Sequence, residues 1–242
     1  MRGPEHQEPA YVIHRRPWRE TSLMVDVFTL NRGRMTVIAR GANSAKSPLK
    51  AQLQPFQPLM LDWSGRGDLK TLTHVDVRNG PSLHRTASLY SGLYLNELIQ
   101  RVLPAADPHP TLFAAYIDAV TELADTRDVE PVLRRFERAF AAALGYDFAW
   151  DVATDTGKTV EAWAQYCYDP EQGIVSVPAQ GVRLQSLHGE VLLALAEGDL
   201  VSEACRRTAK RVMRVLTDYL MQGRPLHSRS LFSHLRGERH ES

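Results

Sequence analysis

The chain has 242 residues, 43% of them hydrophobic and 24% charged, the balance of an ordinary soluble protein long enough for two small domains with cores of their own. A formal net charge of +1 predicts no polyanion partner by itself. With only Cys167 and Cys205 present, a disulfide framework and a four-cysteine zinc site are both excluded.

The charge is uneven along the chain. Residues 11–50 hold eight Arg/Lys against Glu20 and Asp26, and residues 206–242 hold nine against Asp218, Glu238 and Glu241. Two basic regions at opposite ends of the sequence would make one binding surface if the fold brought them together. The opening MRGPEHQEPA lacks the apolar run of a signal peptide, so residues 1–9 are expected to be a flexible tail. No apolar run reaches membrane-spanning length, and a cytoplasmic location is the expectation.

Five strands are predicted next, over residues 10–16, 22–30, 33–41, 57–64 and 68–78. In the second, Leu23, Val25 and Val27 alternate with Met24, Asp26 and Phe28, the period of two that places side chains on opposite faces. Asn31-Arg32-Gly33 and Gly65-Arg66-Gly67 read as hairpin turns. In the third strand Met35, Val37 and Ala39 face a core, while Arg34, Thr36, Ile38 and Arg40 face out. The loop beyond Gly41 adds Lys46 and Lys50 with no acid. Such a run is either a solvated face or an anion-binding one. Five short strands over residues 10–80 suggest a five-stranded oligonucleotide-binding (OB) barrel.

From Pro81 the period becomes helical, giving an all-α domain over residues 81–242. Helices are predicted at 86–103, 111–124 and 130–145, the last with an apolar stripe of Leu133, Phe136, Phe140 and Leu144 and Gly145 as its cap. Residues 147–183 read as irregular. Further helices are predicted at 184–196, 201–221 and 228–235. On the 201–221 helix Arg206, Arg207, Lys210, Arg211 and Arg214 fall within an arc of roughly 140°. No acid is read among them at i±4, so they are expected to repel one another and to favour an anion. Cys205 lies on the opposite, apolar side as a core residue.

Catalytic patterns fail. Gly157-Lys158-Thr159 ends like a phosphate-binding loop, but Val152 stands where the first glycine is needed. Gly65-x-Gly67 lacks the third glycine of a dinucleotide fingerprint, since Lys70 is there. No G-x-S-x-G elbow occurs, His227 and His234 do not have the spacing of an H-x-x-x-H metal pair, and the basic segments carry no carboxylate cluster for two-metal chemistry. No metal or cofactor is expected, and an enzyme of nucleic-acid metabolism with an unrecognised site stays as an alternative that the missing carboxylate cluster argues against.

Six segments in order, RRPWRETSLMVDVFTLNRGRMTVIARGA, SPLKAQLQPFQPL, GRGDLKTL, SLYSGLYLNEL, LRRFERAFAAALGY and GRPLHSRSLF, together resemble the RecO family of bacterial recombination mediators, proteobacterial type. The resemblance spans nearly the whole chain. It implies an N-terminal OB barrel and a helical domain with a degenerate zinc-ribbon-like insertion, because the four cysteines of many members are missing between residues 147 and 183. It implies no enzymatic turnover, binding of single- and double-stranded DNA, annealing of complementary strands, and binding of the C-terminal tail of the single-stranded-DNA-binding protein SSB. With RecR, and with RecF as a further possible partner, it implies loading of RecA on SSB-coated DNA in a nucleoid-associated setting.

The expected DNA contacts are Arg16, Arg34, Arg40, Lys46, Lys50, Arg66 and Lys70 on the barrel, and Arg206, Lys210 and Arg214 on the basic helix. Trp18 and Phe28 are the aromatics near these cations that could stack on bases, at least one of them expected in the core. The SSB tail, acidic with an apolar tip and a free carboxylate, needs an apolar notch rimmed by cations. Arg134 matches the first arginine of the family's Arg-Arg-Phe motif in that pocket, and Arg207 and Arg211 are further candidates. Arg134 could instead pair with Glu130 or Glu137. The competing reading of the whole chain is a protein-interaction adaptor whose basic surface is incidental.

Overall fold

The computed structural model describes residues 5–65, 67, 69–177 and 184–237. Strands β1 (Glu5–Trp18), β2 (Ser22–Thr29), β3 (Gly33–Ala39), β4 (Leu59–Ser64) and β5 (Lys70–Val77) close into a barrel in the order β1-β2-β3-β5-β4, with β4 paired back onto β1. A one-turn helix, α1 (Pro48–Gln52), connects β3 to β4 where a loop was expected. Beyond the barrel come α2 (Thr86–Val102), α3 (Pro110–Asp125), α4 (Val129–Ala143), α5 (Gly189–Ala196), α6 (Glu203–Leu220) and α7 (His227–Gly237). Five short strands, β6 (Val152–Ala153), β7 (Lys158–Thr159), β8 (Gln165–Asp169), β9 (Gly173–Val175) and β10 (Leu184–His188), lie between α4 and α5. The chain divides into two compact units, Met1–Val129 with Leu226–Ser242, and Glu130–Pro225. The first joins the barrel to α2, α3 and α7, a different division from one at residue 81.

Alternation builds the barrel core. Val12, Leu23, Val25, Val27, Val37, Leu59 and Leu61 are buried inside it. Each such side chain removed from water contributes roughly 1.5–3 kcal/mol. The second face of β2 is buried as well, because Phe28 packs 5.2 Å from the Phe113 ring of α3 and Tyr11 of β1 lies 5.1 Å from Tyr116. Asp26, 4% exposed between them, accepts hydrogen bonds from Thr36 Oγ1 (2.6 Å) and Gln100 Nε2 (3.1 Å). Gly33 stands at φ 66°, and a Cβ there would fall 2.0 Å from the Asp107 carbonyl oxygen, so no other residue fits the turn. The described part of the expected tail, residues 5–9, is strand. Glu8 pairs with Leu61 across β4, and its carboxylate takes hydrogen bonds from the Asn31 backbone N–H and Nδ2. α7 is fastened to α2 at Glu97, whose carboxylate accepts from the N–H groups of His227 (2.9 Å) and Ser228 (2.8 Å) and from Ser228 Oγ (2.6 Å). Burial pushes the Glu97 carboxyl up, but those hydrogen bonds and the Arg101 guanidinium outweigh it and leave the group below its ordinary range.

In the second unit α5, α6 and the small strands share one core of Phe148, Trp150, Tyr168, Leu187, Leu192, Val212 and Met213, among others. Cys205 is in that core, as its place on the apolar face of α6 predicts. The segment expected to be irregular carries β6 paired with β7, and β8 between β9 and β10. These strands are two to five residues long, too short for periodicity to show. The helix expected from residue 184 starts at Gly189, and residues 184–188 are β10. A register shift between Leu184 and Leu187, with Ser186 at φ 60°, puts two buried leucines three apart in a strand and imitates helical spacing.

Candidate nucleic-acid interface and a cationic cleft

The sequence-predicted cations divide by what they touch. Where β1 ends and β3 ends, the Asn43 N–H donates to the Thr21 carbonyl (2.8 Å) and Arg15 Nη1 donates to the Lys50 carbonyl (2.9 Å), so the β1–β2 turn, the loop after β3 and α1 are tied at one end of the barrel. Arg16, Arg40, Lys46 and Lys50 are all exposed there. Among the described residues no carboxylate lies within ion-pair distance of Arg40, Lys46 or Lys50. Arg16 Nη1 is 3.5 Å from Asp26 Oδ2, with half of the Arg16 side chain exposed. Lys70 opens β5 and donates to the Gly65 carbonyl (3.1 Å). Arg66 lies outside the described residues. Arg34 is used structurally: its Nε donates to the Leu103 carbonyl (2.8 Å) and its carbonyl accepts from the Ala106 N–H (2.9 Å), holding the chain after α2 on the barrel.

The five cations of α6 keep to one face, but the expectation that no acid stands at i±4 is wrong. Arg207 pairs with Glu203 at 3.3 Å and Arg214 with Asp218 at 4.0 Å, each four residues away. Lys210 pairs with Glu130 of α4. Arg211 Nη2 donates to the Gln185 carbonyl (3.5 Å), and Arg206 Nε to the Val201 carbonyl (3.0 Å). The face is closer to neutral than its arginine count predicts.

Bordering that face, where Ala209 and Met213 stand, lies a cleft of ≈ 180 Å³. Its floor is Trp150, Leu195, Leu200, Ala209 and Met213, with Gly198 beside them, and Arg134, Arg135 and Arg138 of α4 stand around it. Arg134, 12% exposed, pairs at 2.8 Å with Glu137, 2% exposed, so the alternative expected for it is realised while it still lines the cleft. Arg138 donates to the Phe148 carbonyl (2.9 Å) and lies 5.6 Å from the centre of the Trp150 ring. Arg207 and Arg211 are not part of this wall: each is two residues from Ala209 or Met213, which puts it about 200° round the helix from them. Sequence reasoning missed Arg135, Arg138 and Trp150. The spacing Arg134-x-x-x-Arg138, one face of α4, was a usable signal. The apolar floor had none, since it comes from three separate segments.

Comparison with known proteins gives one consistent answer. Residues 1–81 match the family described as "Recombination protein O N terminal" and residues 84–230 match "Recombination protein O C terminal". The chain is 68% identical over 237 residues to "DNA repair protein RecO" of Marinobacter nauticus, covering 97% of this chain and 96% of the relative. Identity is 42% over 224 residues to the protein of that name in Methylococcus capsulatus (92% and 91% covered) and 39% over 229 residues to that in Aromatoleum aromaticum (95% of each).

Proposed function

The chain belongs to the RecO family, with a role in DNA repair and recombination, and we propose that within this role it is a non-enzymatic mediator that holds and anneals DNA strands and receives the SSB tail. Annealing makes and breaks no covalent bond; it needs two polyanions brought close with their repulsion neutralised. Arg40, Lys46 and Lys50, none of them ion-paired among the described residues, supply with Arg16 and Lys70 fixed positive charge for single and double strands alike, and Arg206, Lys210 and Arg214 add a weaker, partly neutralised contact surface. Phosphate contacts of this kind carry little sequence preference and release counterions, so affinity falls with salt by a log–log slope of roughly −0.7 per contact on single strands. RecR, RecA and, in some settings, RecF are the further partners of this reading.

The observation that carries the SSB part is the cleft: an apolar floor with three arginines around it suits a peptide with an apolar tip, a free carboxylate and acidic residues before it. The deciding experiment is annealing of complementary strands coated with SSB or with SSB lacking its tail. Annealing is expected to proceed on the intact complex and to fall sharply without the tail, while bare strands anneal either way. Arg135→Glu, a charge reversal at an exposed position, is expected to weaken tail-peptide binding about tenfold or more and leave annealing of bare strands within about twofold. Equal loss of both activities, or no loss of peptide binding, contradicts the assignment.

A further inference from the structure

Of the four tryptophans, Trp63 and Trp150 are 3% exposed, Trp18 is 36% exposed and Trp163 is 83% exposed. Trp163 lies two residues after Glu161, and its turn accepts the Glu190 N–H at the Ala162 carbonyl, so acids are its neighbours in the chain and across that bond. Trp18 has the opposite surroundings. In the β1–β2 register Pro17 pairs with Leu23 on the core side and Trp18 pairs with Ser22 on the outer side. A serine is too small to cover an indole from the neighbouring strand. Arg40, exposed, opens the turn just past the Leu23–Ala39 pair that ends the β2–β3 ladder, and Ser22 is the residue of β2 next to that pair. Arg16 is two residues before Trp18 on the outer side, Arg19 is exposed in the turn, and the Thr21–Asn43 hydrogen bond fixes the turn to the loop that carries Lys46. Glu20 is the acid of the turn. Phe28, the other aromatic at hand, is fully buried against Phe113.

We propose that Trp18 is a base-stacking residue that lets the cationic end of the barrel tell unpaired bases from duplex. This rests on the DNA-binding reading above and adds a specificity-determining residue to it. The cations alone see phosphates, which both forms of DNA present. An exposed ring held at a pinned hairpin end offers a π-face to a base that is free to splay out, and a paired, stacked base cannot take it without leaving its helix. Because the turn is fixed before DNA arrives, little ordering is left to do on binding. Trp18 thereby biases the barrel toward single strands, the form an annealing protein must capture first, and releases its grip once bases pair.

The test measures binding of the full-length protein to a homothymidine strand and to a blunt duplex of equal length. Trp18→Ala is expected to weaken strand binding about 5- to 100-fold and duplex binding less than about twofold, with the salt slope unchanged. Trp18→Phe restores most of the strand affinity, which separates stacking from loss of fold. Arg40→Ala weakens both ligands and makes the slope on single strands shallower by about 0.7. In a Trp163→Phe background the strand, and not the duplex, quenches tryptophan fluorescence, and the quench disappears on Trp18→Phe. Equal weakening of both ligands by Trp18→Ala, or of neither, overturns the role of Trp18 and leaves DNA binding standing. Failure of the unaltered protein to bind either ligand overturns the DNA-binding reading, and this inference falls with it.

Discussion

The barrel end and the α6 face carry similar numbers of cations and differ in what surrounds them. On the barrel, Arg40, Lys46 and Lys50 sit on a strand end, a loop and a one-turn helix, where no described carboxylate comes within ion-pair distance. On α6 the helix geometry itself supplies partners, because Glu203 and Asp218 fall one turn from Arg207 and Arg214, and α4 brings Glu130 to Lys210. Counting arginines measures neither surface. An unpaired cation offers its charge to a ligand directly, whereas a paired one must first exchange an acid for a phosphate. Arg134 marks the far limit of that series, since its partner Glu137 is buried and the pair belongs to the fold as much as to the cleft.

That limit gives the largest expected effect. Arg134→Ala removes the 2.8 Å partner of the buried Glu137 carboxylate, which costs about 1–3 kcal/mol of stability. Thermal or denaturant unfolding of the variant reads this directly. Arg134→Ala paired with Glu137→Leu is expected to recover most of the loss, because an apolar residue at a 2% exposed position needs no partner. An Arg134→Ala variant as stable as the parent would mean that the pair contributes nothing to the fold and differs in no way from the exposed pairs of α6.

A binding comparison comes next. Removing Arg40, Lys46 and Lys50 together is expected to make the salt dependence of single-strand binding shallower by about 2 log–log units, three contacts at roughly 0.7 each. Removing Arg207, Lys210 and Arg214 together should change it by less than half as much, since each begins in an ion pair. Salt titrations of the two triple variants, run against the same strand, decide the matter. Equal slopes would mean that pairing in the free protein says nothing about availability.

Legibility in the sequence follows the same physical lines. The barrel was readable because period-two alternation, hairpin turns and strand lengths all agree from Ser22 to Val77, and the five predicted strands match the five that form. β10 was misread because one bulge at Ser186 turned a strand into an i, i+3 pattern. α1 was missed because a five-residue helix holds too little periodicity to register. Cations were legible as a population and not one by one: nothing near Arg34 in sequence announces the Leu103 carbonyl, 69 residues away, that takes its Nε–H. The cleft floor, assembled from Trp150, Leu195 and Met213, is a product of folding alone.

The smallest expected effect is the finest test of whether α6 meets DNA. Glu203→Gln and Asp218→Asn each release a cation, Arg207 or Arg214, and each is expected to raise single-strand affinity by less than about fivefold, exposed ion pairs being weak. Their effects on the helix are opposite in sign. Glu203 is in the first turn of α6, where a negative charge is favoured by the helix dipole, so its neutralisation lowers stability slightly; Asp218 is in the last turns, where neutralisation raises it. If affinity rises in both variants while melting temperatures move apart, the gain comes from freed charge meeting phosphate and not from a change in the fold. If affinity tracks stability instead, or does not move, α6 stands outside the DNA footprint and the barrel end carries the binding alone.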